Sequence, residues 1–551
     1  MSVEKEIGVL RAMVSKFDLE SFAGFFAHYI RQKPSDLGSE VMGRFDSKVK
    51  DFLYMIALNA FSDQQQRSSF EYNQGQIIGF AKTLDKIKDD VRYVAPKDYN
   101  LEAVIHQLAF RNHFDNATLT YVEQDIEKIK IVFKPFDSVI ATDFGLTFEQ
   151  MVEIYKYSEQ VTRVKYAAST AFLKSEEYLD FKRLSDSMPF GEATYPRLSA
   201  QVREALAAFE QRPHAYLLFS PEDLYEKFPR NIVDKFLEHF SFVPQEDSKV
   251  VYYSAESPFE LQPIIRLSAN RYLHVYQKQI PVAIYKRLYT HLSASVSLSE
   301  RLHRHKDKVL EKKVSGTFRR FFDSKQAFFY ENYIVGSGGE QDLLIIYKGR
   351  ALIVEVKATK LRAPFRNAEM AVKRLKADFK SSIQYGYDQC KRIHDHLCSD
   401  QNFTIKDQKG RALYEVDPSR IQDVYSIVVT LERFGSLQTD LSLMLLKEHT
   451  ATYPWSVYLD DLETFLLSLR QISGKGIGDL FHFLELRESL HGRIYATDEL
   501  DICGAYLRDP VQFRRYCQQS DKLIIFPPSE QDIFDKLYYA KKLRLQERGL
   551  S

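Results

Sequence analysis

Hydrophobic residues in the N-terminal part of the chain recur with the spacing of amphipathic helices. Apolar positions three and four residues apart run through SKVKDFLYMIALNAF and FEQMVEIYKYSEQVTRVKYAASTAFL. Proline, glycine and aspartate in PFDSVIATDFG and in QRPHAYLLFSPEDLYEKFP interrupt this pattern, so the helical region divides near residue 140 or near residue 215, and the pattern does not choose between them. We therefore predict a mainly helical domain over residues 1–245, with a recognition or regulatory role.

The pattern changes after residue 245. KVVYYS, LQPIIRL and RYLHVYQ are short strand-like runs, which predict a connecting segment over residues 246–295. A charged helical pattern, two apolar runs, a long helical pattern and the strand-like runs VYSIVVTLE and LSLMLL then follow. This order predicts an α/β domain over residues 296–456, in which helices flank a mixed sheet, and a helical C-terminal domain over residues 457–551.

The long helical pattern after residue 367 has one continuous apolar stripe. Its members are Val372, Leu375, Phe379, Ile383, Tyr387, Cys390, Ile393 and Leu397. Their spacing predicts a helix that packs one face against the sheet.

Composition narrows the function classes only slightly. Lys and Arg number 76 and Asp and Glu 75 in 551 residues, so net charge neither proposes nor excludes a polyanionic partner. Four cysteines are too few for a disulfide framework, which favours a reducing compartment. The start of the chain lacks a secretory pattern, and no apolar run approaches the roughly 18 residues of a membrane span. We expect a cytoplasmic protein without membrane contact.

The stretch GGEQDLLIIYKGRALIVEVKAT, residues 338–359, contains two apolar runs separated only by KGR. Gly349 can adopt the positive φ that a tight hairpin turn requires. We therefore predict a hairpin whose turn is centred on Lys348 and Gly349.

This register places charged residues together on one face of the hairpin. Asp342 lies opposite Glu355, and Glu340 lies opposite Lys357, at the Cβ separation of about 5 Å that is typical of antiparallel pairs. Side chains two apart on a strand share a face, so all four project from one side.

Two carboxylates that face each other among apolar residues repel and desolvate one another unless a positive group lies between them. Mg²⁺ prefers oxygen ligands, and Asp342, Glu355 and the carbonyl of Val356 supply three. Such an ion polarises a phosphoryl oxygen and lowers the pKa of bound water, while Lys357 orients that water or neutralises developing charge. Phosphodiester hydrolysis requires these groups, and Mn²⁺ is expected to substitute.

An edge hairpin with solvent-facing Glu and Lys side chains is the structural alternative, because cross-strand ion pairs are ordinary there. It explains Glu340 opposite Lys357 well. It explains Asp342 opposite Glu355 poorly.

Asp342, the apolar hairpin and Glu355-Val356-Lys357 together resemble the PD-(D/E)XK nuclease superfamily, in particular its nuclease-related and restriction-endonuclease-like branches. The resemblance implies a restriction-endonuclease-like α/β core, Mg²⁺ bound by Asp342 and Glu355, and a Lys357 that assists the attacking water. It covers about residues 296–450. Gln341 stands where Pro would precede the aspartate, and the helical flanks resemble no family that we recognise.

The resemblance also suggests further catalytic residues. Family members often add a Glu from the preceding helix, which Glu311 in KVLEKKVSGTFRRFF matches, with Glu300 as the alternative. Gln389 in YGYDQCKRI matches the helical Gln of some branches, with Gln384 as the alternative. Glu340 is an accessory acid.

Basic residues flank the hairpin on both sides. Those after it that are candidates for nucleic-acid binding are Lys360, Arg362, Arg366, Lys373 and Arg374. The Gly-rich SGKGIGD lacks the spacing of a phosphate-binding loop, so the chain has no recognisable ATPase motif. We expect it to depend on free ends, open structures or a partner protein for access to its substrate.

The sequence thus predicts a metal-dependent nuclease, by analogy a bacterial antiphage defence or repair effector. DNA is favoured over RNA as its substrate, although the sequence alone does not distinguish the two. The alternative is an inactive nuclease fold that binds nucleic acid or forms an oligomeric scaffold or sensor. In a third hypothesis the N-terminal domain is the working part, as a sensor or oligomerisation scaffold, and the nuclease is its output.

Overall fold

The structure is a computed structural model, and it describes residues 2–31, 42–63, 67–92, 100–111, 120–187, 198–322, 325–359, 361–363, 367–472, 476–519 and 521–545. The chain forms two compact units. The first consists of residues 1–90 and 125–295, and the second consists of residues 91–124 and 296–551.

These units differ in detail from the four predicted segments. The boundary after residue 295 separates both the units and the predicted segments, whereas residues 91–124 lie in the second unit although they were predicted within the N-terminal domain. The predicted C-terminal segment belongs to the same compact unit as the sheet.

Helices make up most of the described structure before residue 296. They are α1 Val3–Val14, α2 Leu19–Arg31, α3 Lys48–Ala60, α4 Gln74–Arg92, α5 Leu101–Phe110, α6 Val122–Phe133, α7 Asp137–Phe144, α8 Phe148–Ser169, α9 Glu176–Ser187, α10 Ala200–Gln211, α11 Glu222–Tyr225, α12 Arg230–Phe240 and α13 Gln279–Ser293. The strands are β1 Leu218–Phe219, β2 Ser241–Phe242, β3 Ile264–Ser268 and β4 Arg271–His274, in the order β1-β4-β3-β2.

Aromatic packing and helix caps stabilise the first unit. Phe22 lies 4.9 Å from Phe26 and 5.3 Å from Phe70 between ring centroids. Thr147 and Gln150 form a capping box that begins α8.

One short strand predicted in the first unit is wrong. KVVYYS, residues 249–254, has no strand, because its tyrosines make side-chain hydrogen bonds instead of joining a ladder. The Tyr252 hydroxyl donates to Glu4 and that of Tyr253 donates to the buried Asp51, each over 2.8 Å.

From residue 296 the described elements alternate between helices and strands. The helices are α14 Val296–Phe322, α15 Ala368–Phe379, α16 Tyr385–Leu397, α17 Ser436–Thr439, α18 Leu459–Gln471, α19 Ile477–Glu488, α20 Glu499–Arg508, α21 Pro510–Cys517 and α22 Asp532–Tyr539. The strands are β5 Ala327–Val335, β6 Gln341–Tyr347, β7 Arg350–Lys357, β8 Phe403–Lys406, β9 Ala412–Val416, β10 Asp423–Thr430, β11 Trp455–Tyr458, β12 Ile494–Tyr495 and β13 Ile524–Ile525.

Seven of these strands form one mixed sheet in the order β11-β10-β7-β6-β5-β8-β9. β10 runs parallel to both β7 and β11, and the remaining pairs are antiparallel. Helices flank the sheet, as the order of patterns predicted. Cys390, Ile393 and Leu397 of α16 pack on one face, and Phe322 of α14 contacts Tyr347 on the other.

The β6–β7 hairpin has the predicted turn and register. Lys348 and Gly349 have φ values of 49° and 76°, the combination that two-residue hairpins with a type I′ turn require. The ladder runs from Leu343 opposite Val354 to Tyr347 opposite Arg350. The turn prediction is therefore confirmed.

The predicted long helix is interrupted by a π-helical turn over Lys380–Gln384. Val372, Phe379 and Tyr387 pack in one hydrophobic cluster with α5 and α17, whereas Cys390 and Leu397 pack against the sheet. A π-helical turn contains one residue more than an α-helical turn. This extra residue rotates the following helix about its axis, so that the two halves pack on these two different surfaces.

LSLMLL, residues 441–446, was predicted as a strand, which is wrong. It forms a 3₁₀ turn over Leu441–Leu443, because the Asp440 carboxylate accepts a hydrogen bond from the backbone of Ser442 and begins the turn. Leu437, Leu441 and Leu445 are buried at helical spacing.

All four cysteines are free thiols. Among the described helices, none combines the length and the apolar character needed to cross a lipid bilayer.

Candidate active site

The open end of the β6–β7 hairpin brings two carboxylates together. The backbone N–H of Asp342 donates to Oε1 of Glu355 over 3.3 Å, and the backbone N–H of Val356 donates to Oδ2 of Asp342 over 2.6 Å. Each carboxylate thus accepts from the opposite strand, one step beyond the regular pair of Leu343 with Val354. The two acids form the predicted cross-strand pair, called here the acidic pair.

Lys357 supplies the positive charge between these acids. Its Nζ lies 2.8 Å from Oε2 of Glu355 and 3.5 Å from Oδ2 of Asp342. Nζ also lies 3.3 Å from the carbonyl oxygen of Val356. The ammonium of Lys357 therefore lies within ion-pair distance of both carboxylates.

Burial controls the protonation of this cluster. Glu355 is fully buried, and this desolvation, together with Asp342, raises its pKa to about 8 despite the opposing effect of Lys357. Burial lowers the pKa of Lys357, but Glu355 and Asp342 more than offset this, so its pKa is raised. Lys357 is therefore a protonated ammonium group. It offsets only part of the effect of burial and of Asp342 on the pKa of Glu355.

Glu311 approaches the acidic pair from α14. Its pKa is raised to about 7, mainly by burial and also by Asp342, Asp307 and Glu340, while Lys357 opposes them. The same helix holds the end of β7, because Nζ of the buried Lys306 donates to the carbonyl of Ala358 over 3.0 Å. Glu300, the alternative, is exposed nearer the start of α14.

Glu340 does not pair with Lys357 in the ladder. β6 begins at Gln341, after a turn that follows β5, and the carboxylate of Glu340 accepts from Nε2 of Gln408 over 2.6 Å. It lies close enough to Glu311 to raise its pKa.

Gln389 of α16 is buried and reaches the chain just before β6. Its Nε2 donates to the carbonyl of Glu340 over 3.5 Å, and its Oε1 is buried without a hydrogen-bond partner among the described residues. Gln384 is engaged elsewhere, because its amide donates to the Leu446 carbonyl over 2.9 Å and accepts from the Leu446 N–H over 2.8 Å.

Two residues of β5 border the acidic pair and were not predicted. Asn332, with φ of 50°, occupies the position opposite Asp342, between the pairs Glu331 with Leu343 and Tyr333 with Gln341. A left-handed residue inside a strand is uncommon and costly. The Tyr333 hydroxyl is buried without a hydrogen-bond partner among the described residues, and nothing in the sequence pattern distinguishes either residue from an ordinary strand position.

The start of α16 also contributes, which the sequence argument missed. A Cβ added to Gly386 would lie 2.8 Å from Cγ1 of Val428 and 3.3 Å from Cε of Lys357, so the helix backbone packs directly against the lysine stem. Tyr385 places its exposed ring 5.5 Å from the Lys357 ammonium. The sequence signal is the small residue between two tyrosines in YGYDQ.

The basic residues proposed for nucleic-acid binding divide into three groups. Arg362 forms an ion pair with Asp378, with Nε 2.8 Å from Oδ1, and Arg374 donates to the carbonyl of Ala363 over 2.9 Å. Lys373 is exposed on α15. Lys360 and Arg366 lie outside the described residues.

The donors of the acidic pair suit a hard divalent cation by type. The carboxylates of Asp342 and Glu355 and the carbonyl of Val356 are oxygen ligands of the kind that Mg²⁺ prefers. The raised pKa of buried Glu355 is also the response of a carboxyl that lacks sufficient positive charge. Within the described part of the chain, however, no group of three or more His, Cys, Asp or Glu side chains is arranged to hold a metal ion.

Comparison with known proteins does not assign the chain to a family. No protein-family model matches the chain, and a search of curated proteins finds no significant match.

Proposed function

We propose that the chain is a metal-dependent nuclease with a PD-(D/E)XK core in its second unit, acting on DNA rather than RNA. One observation carries the proposal: Asp342, Glu355 and Lys357 lie within hydrogen-bond or ion-pair distance of one another at the end of a buried hairpin. Burying three charged side chains together lowers the stability of the fold. Buried ionisable residues with shifted pKa values are typical of catalytic sites.

Asp342, Glu355 and the carbonyl of Val356 would hold Mg²⁺, with Mn²⁺ as a substitute. When bound, the ion supplies polarisation of a phosphoryl oxygen and acidification of a water molecule. Lys357 carries the remaining chemistry. Its ammonium, fixed over the acidic pair, donates hydrogen bonds to an attacking water or to the negative charge that develops on the phosphoryl oxygens.

Glu311 and Gln389 complete the site. Glu311 titrates near neutral pH and lies close to the acidic pair, so it is suited to accept a proton from water. Gln389 holds the backbone at Glu340, which positions the start of β6 and hence Asp342.

The setting of the reaction follows from the same proposal. The exposed Lys373 would contact the phosphate backbone of the substrate, together with the other candidates Lys360, Arg362, Arg366 and Arg374. The first unit would recognise substrate, regulate access or form a homo-oligomer, and a partner protein would open the nucleic acid. By analogy with nucleases of this kind, we place the protein in the bacterial cytoplasm as an antiphage defence or repair effector.

A second candidate function is an inactive nuclease fold that binds nucleic acid or serves as a scaffold. The observation that favours it is the position of Lys357, whose ammonium already forms ion pairs with both carboxylates of the acidic pair. Tight binding of nucleic acid without any turnover would decide for this candidate.

The test is cleavage of linear duplex, plasmid, single-stranded DNA and RNA by the full chain in Mg²⁺, Mn²⁺ or EDTA. Asp342→Asn removes one ligand with little change of shape and is expected to abolish cleavage. Glu311→Gln and Glu300→Gln form a matched pair on α14, and only the first is expected to slow the reaction. Metal-independent cleavage, or full activity in Asp342→Asn, would contradict the proposal.

A further inference from the structure

Tyr385 occupies an unusual place for a large aromatic residue. It is the first residue of α16, and 54% of its surface is exposed, whereas Ile383 in the preceding π-helical turn and Tyr387 in α16 are buried. Apolar packing therefore does not explain the ring.

The position of this ring is fixed beside Lys357. The Lys357 ammonium lies 5.5 Å from the centroid of the Tyr385 ring. The next residue, Gly386, packs on the lysine stem and on Val428 so closely that no side chain fits there. The π-helical turn before Tyr385 is tied to the end of β7, because the Thr359 hydroxyl donates to the carbonyl of Ser381 over 3.1 Å.

Part of the Tyr385 ring is accessible to solvent and hence to a ligand. Within the described residues, the Tyr385 hydroxyl makes no hydrogen bond, and the Tyr385 ring contacts the ammonium of Lys357. The ring is therefore held at the edge of the candidate active site by the backbone around it, with about half of the residue's surface in solvent.

Nucleobases stack on such rings when they are unpaired, and every base has a suitable face. In a duplex the base faces are covered by neighbouring pairs, so an enzyme reaches them only in single strands or after a base leaves the stack. A base next to the scissile phosphate lies within reach of a ring that borders Lys357. We infer that Tyr385 is a substrate-contacting residue that stacks on an unpaired base beside the scissile phosphate, so that the site takes single-stranded or frayed nucleic acid; this rests on the proposed nuclease function.

The experiment compares Tyr385→Ala, Tyr385→Phe and the wild-type full chain. Tyr539→Ala serves as the matched control, since Tyr539 is an exposed tyrosine of α22 in the same unit. Fluorescence anisotropy in EDTA and in Ca²⁺ gives the Kd for a labelled single-stranded DNA oligonucleotide and for its duplex. Quenching of 2-aminopurine placed along the single strand reports stacking, and kcat and KM are measured on both substrates in Mg²⁺.

Tyr385→Ala is expected to weaken single-strand binding about tenfold, with less than a twofold change for the duplex. Tyr385→Phe should restore binding and 2-aminopurine quenching, because the ring and not the hydroxyl does the stacking. Tyr539→Ala should match the wild type.

Three results would overturn the inference. Unchanged binding, or equal losses for single strand and duplex, would exclude a stacking role. A lower kcat with unchanged binding would assign the ring to the support of Lys357 alone. A wild type that binds no nucleic acid would overturn this inference and the proposed function together, whereas Tyr385-dependent binding without cleavage would support the inference and count against the nuclease.

Discussion

The ammonium of Lys357 lies 2.8 Å from the carboxylate of Glu355, two residues earlier on the same strand and face. Both side chains are buried, and Asp342 adds a second acid 3.5 Å from the ammonium. Lys357 is therefore the counter-ion of the acidic pair as well as the proposed catalytic cation. This double role has consequences for stability that are separate from activity.

Lys357→Met should lower the free energy of unfolding by about 3–5 kcal/mol at pH 8, because it leaves buried acids without a partner. At pH 5 the loss should be smaller, since Glu355 takes up a proton. Mg²⁺ should restore part of the stability. Urea unfolding with and without Mg²⁺ measures this, and Lys308→Met, an exposed residue of α14, is the control. Equal stability of both variants would show that the ion pair contributes nothing.

Glu311→Gln should stabilise the metal-free protein in a pH-dependent way. The pKa of Glu311 is about 7 in the folded state, above its ordinary value of 4.5, so folding is favoured by its protonated form and stability falls as pH rises through this interval. Glutamine removes that loss. We expect a gain of about 1–3 kcal/mol at pH 8 and almost none at pH 4.5.

Thermal unfolding across this pH range measures the difference between Glu311→Gln and wild type. Glu300→Gln, on the exposed side of the same helix, should show no such trend. A gain that is independent of pH would contradict the assigned burial of Glu311. Lower activity with higher stability is the expected combination for a functional group.

Gly386→Ala should cost about 1–3 kcal/mol, because the new methyl group would meet Val428 at 2.8 Å in a packed interior. Because it would also meet Cε of Lys357 at 3.3 Å, we expect reduced activity as well. Val428→Ala opens space for the methyl group. The double variant should therefore lose less than the sum of the two single losses, and strict additivity would contradict the contact.

Gly349→Ala should destabilise the hairpin by about 1–2 kcal/mol. Its φ of 76° is unfavourable for alanine, and a Cβ there would meet the Arg420 carbonyl oxygen at 3.1 Å. Gly478→Ala is the contrasting control, because Gly478 lies in α19 with open space around it and should gain stability. Chemical unfolding compares the two, and equal effects would refute the turn assignment.

The hairpin could be predicted from sequence because it is determined locally. Gly349 marks the turn, and counting residues outward from the turn on both strands then places Asp342 opposite Glu355. The same counting placed Glu340 opposite Lys357, and this part of the prediction is wrong. β6 begins one residue later, at Gln341, and the Glu340 carboxylate accepts a hydrogen bond from the distant Gln408.

Other features depend on tertiary packing and could not be predicted. The stripe from Val372 to Leu397 predicted one continuous helix, whereas the π-helical turn depends on the two different surfaces on which the halves of this helix pack. LSLMLL has the composition of a strand and becomes a turn because Asp440 caps it. The placement of Tyr385 and Gly386 against Lys357 requires the packed α16, which no local pattern specifies.

The most direct test of the central claim is plasmid and oligonucleotide cleavage by wild type, Glu355→Gln and Lys357→Ala purified side by side, with Mg²⁺ or EDTA. Circular dichroism confirms that the variants are folded. We predict Mg²⁺-dependent cleavage by the wild type and its loss, by at least a hundredfold, in both folded variants. Cleavage that survives in the variants, or a wild type that binds nucleic acid but cuts nothing in Mg²⁺, would contradict the assignment of this hairpin as a nuclease site.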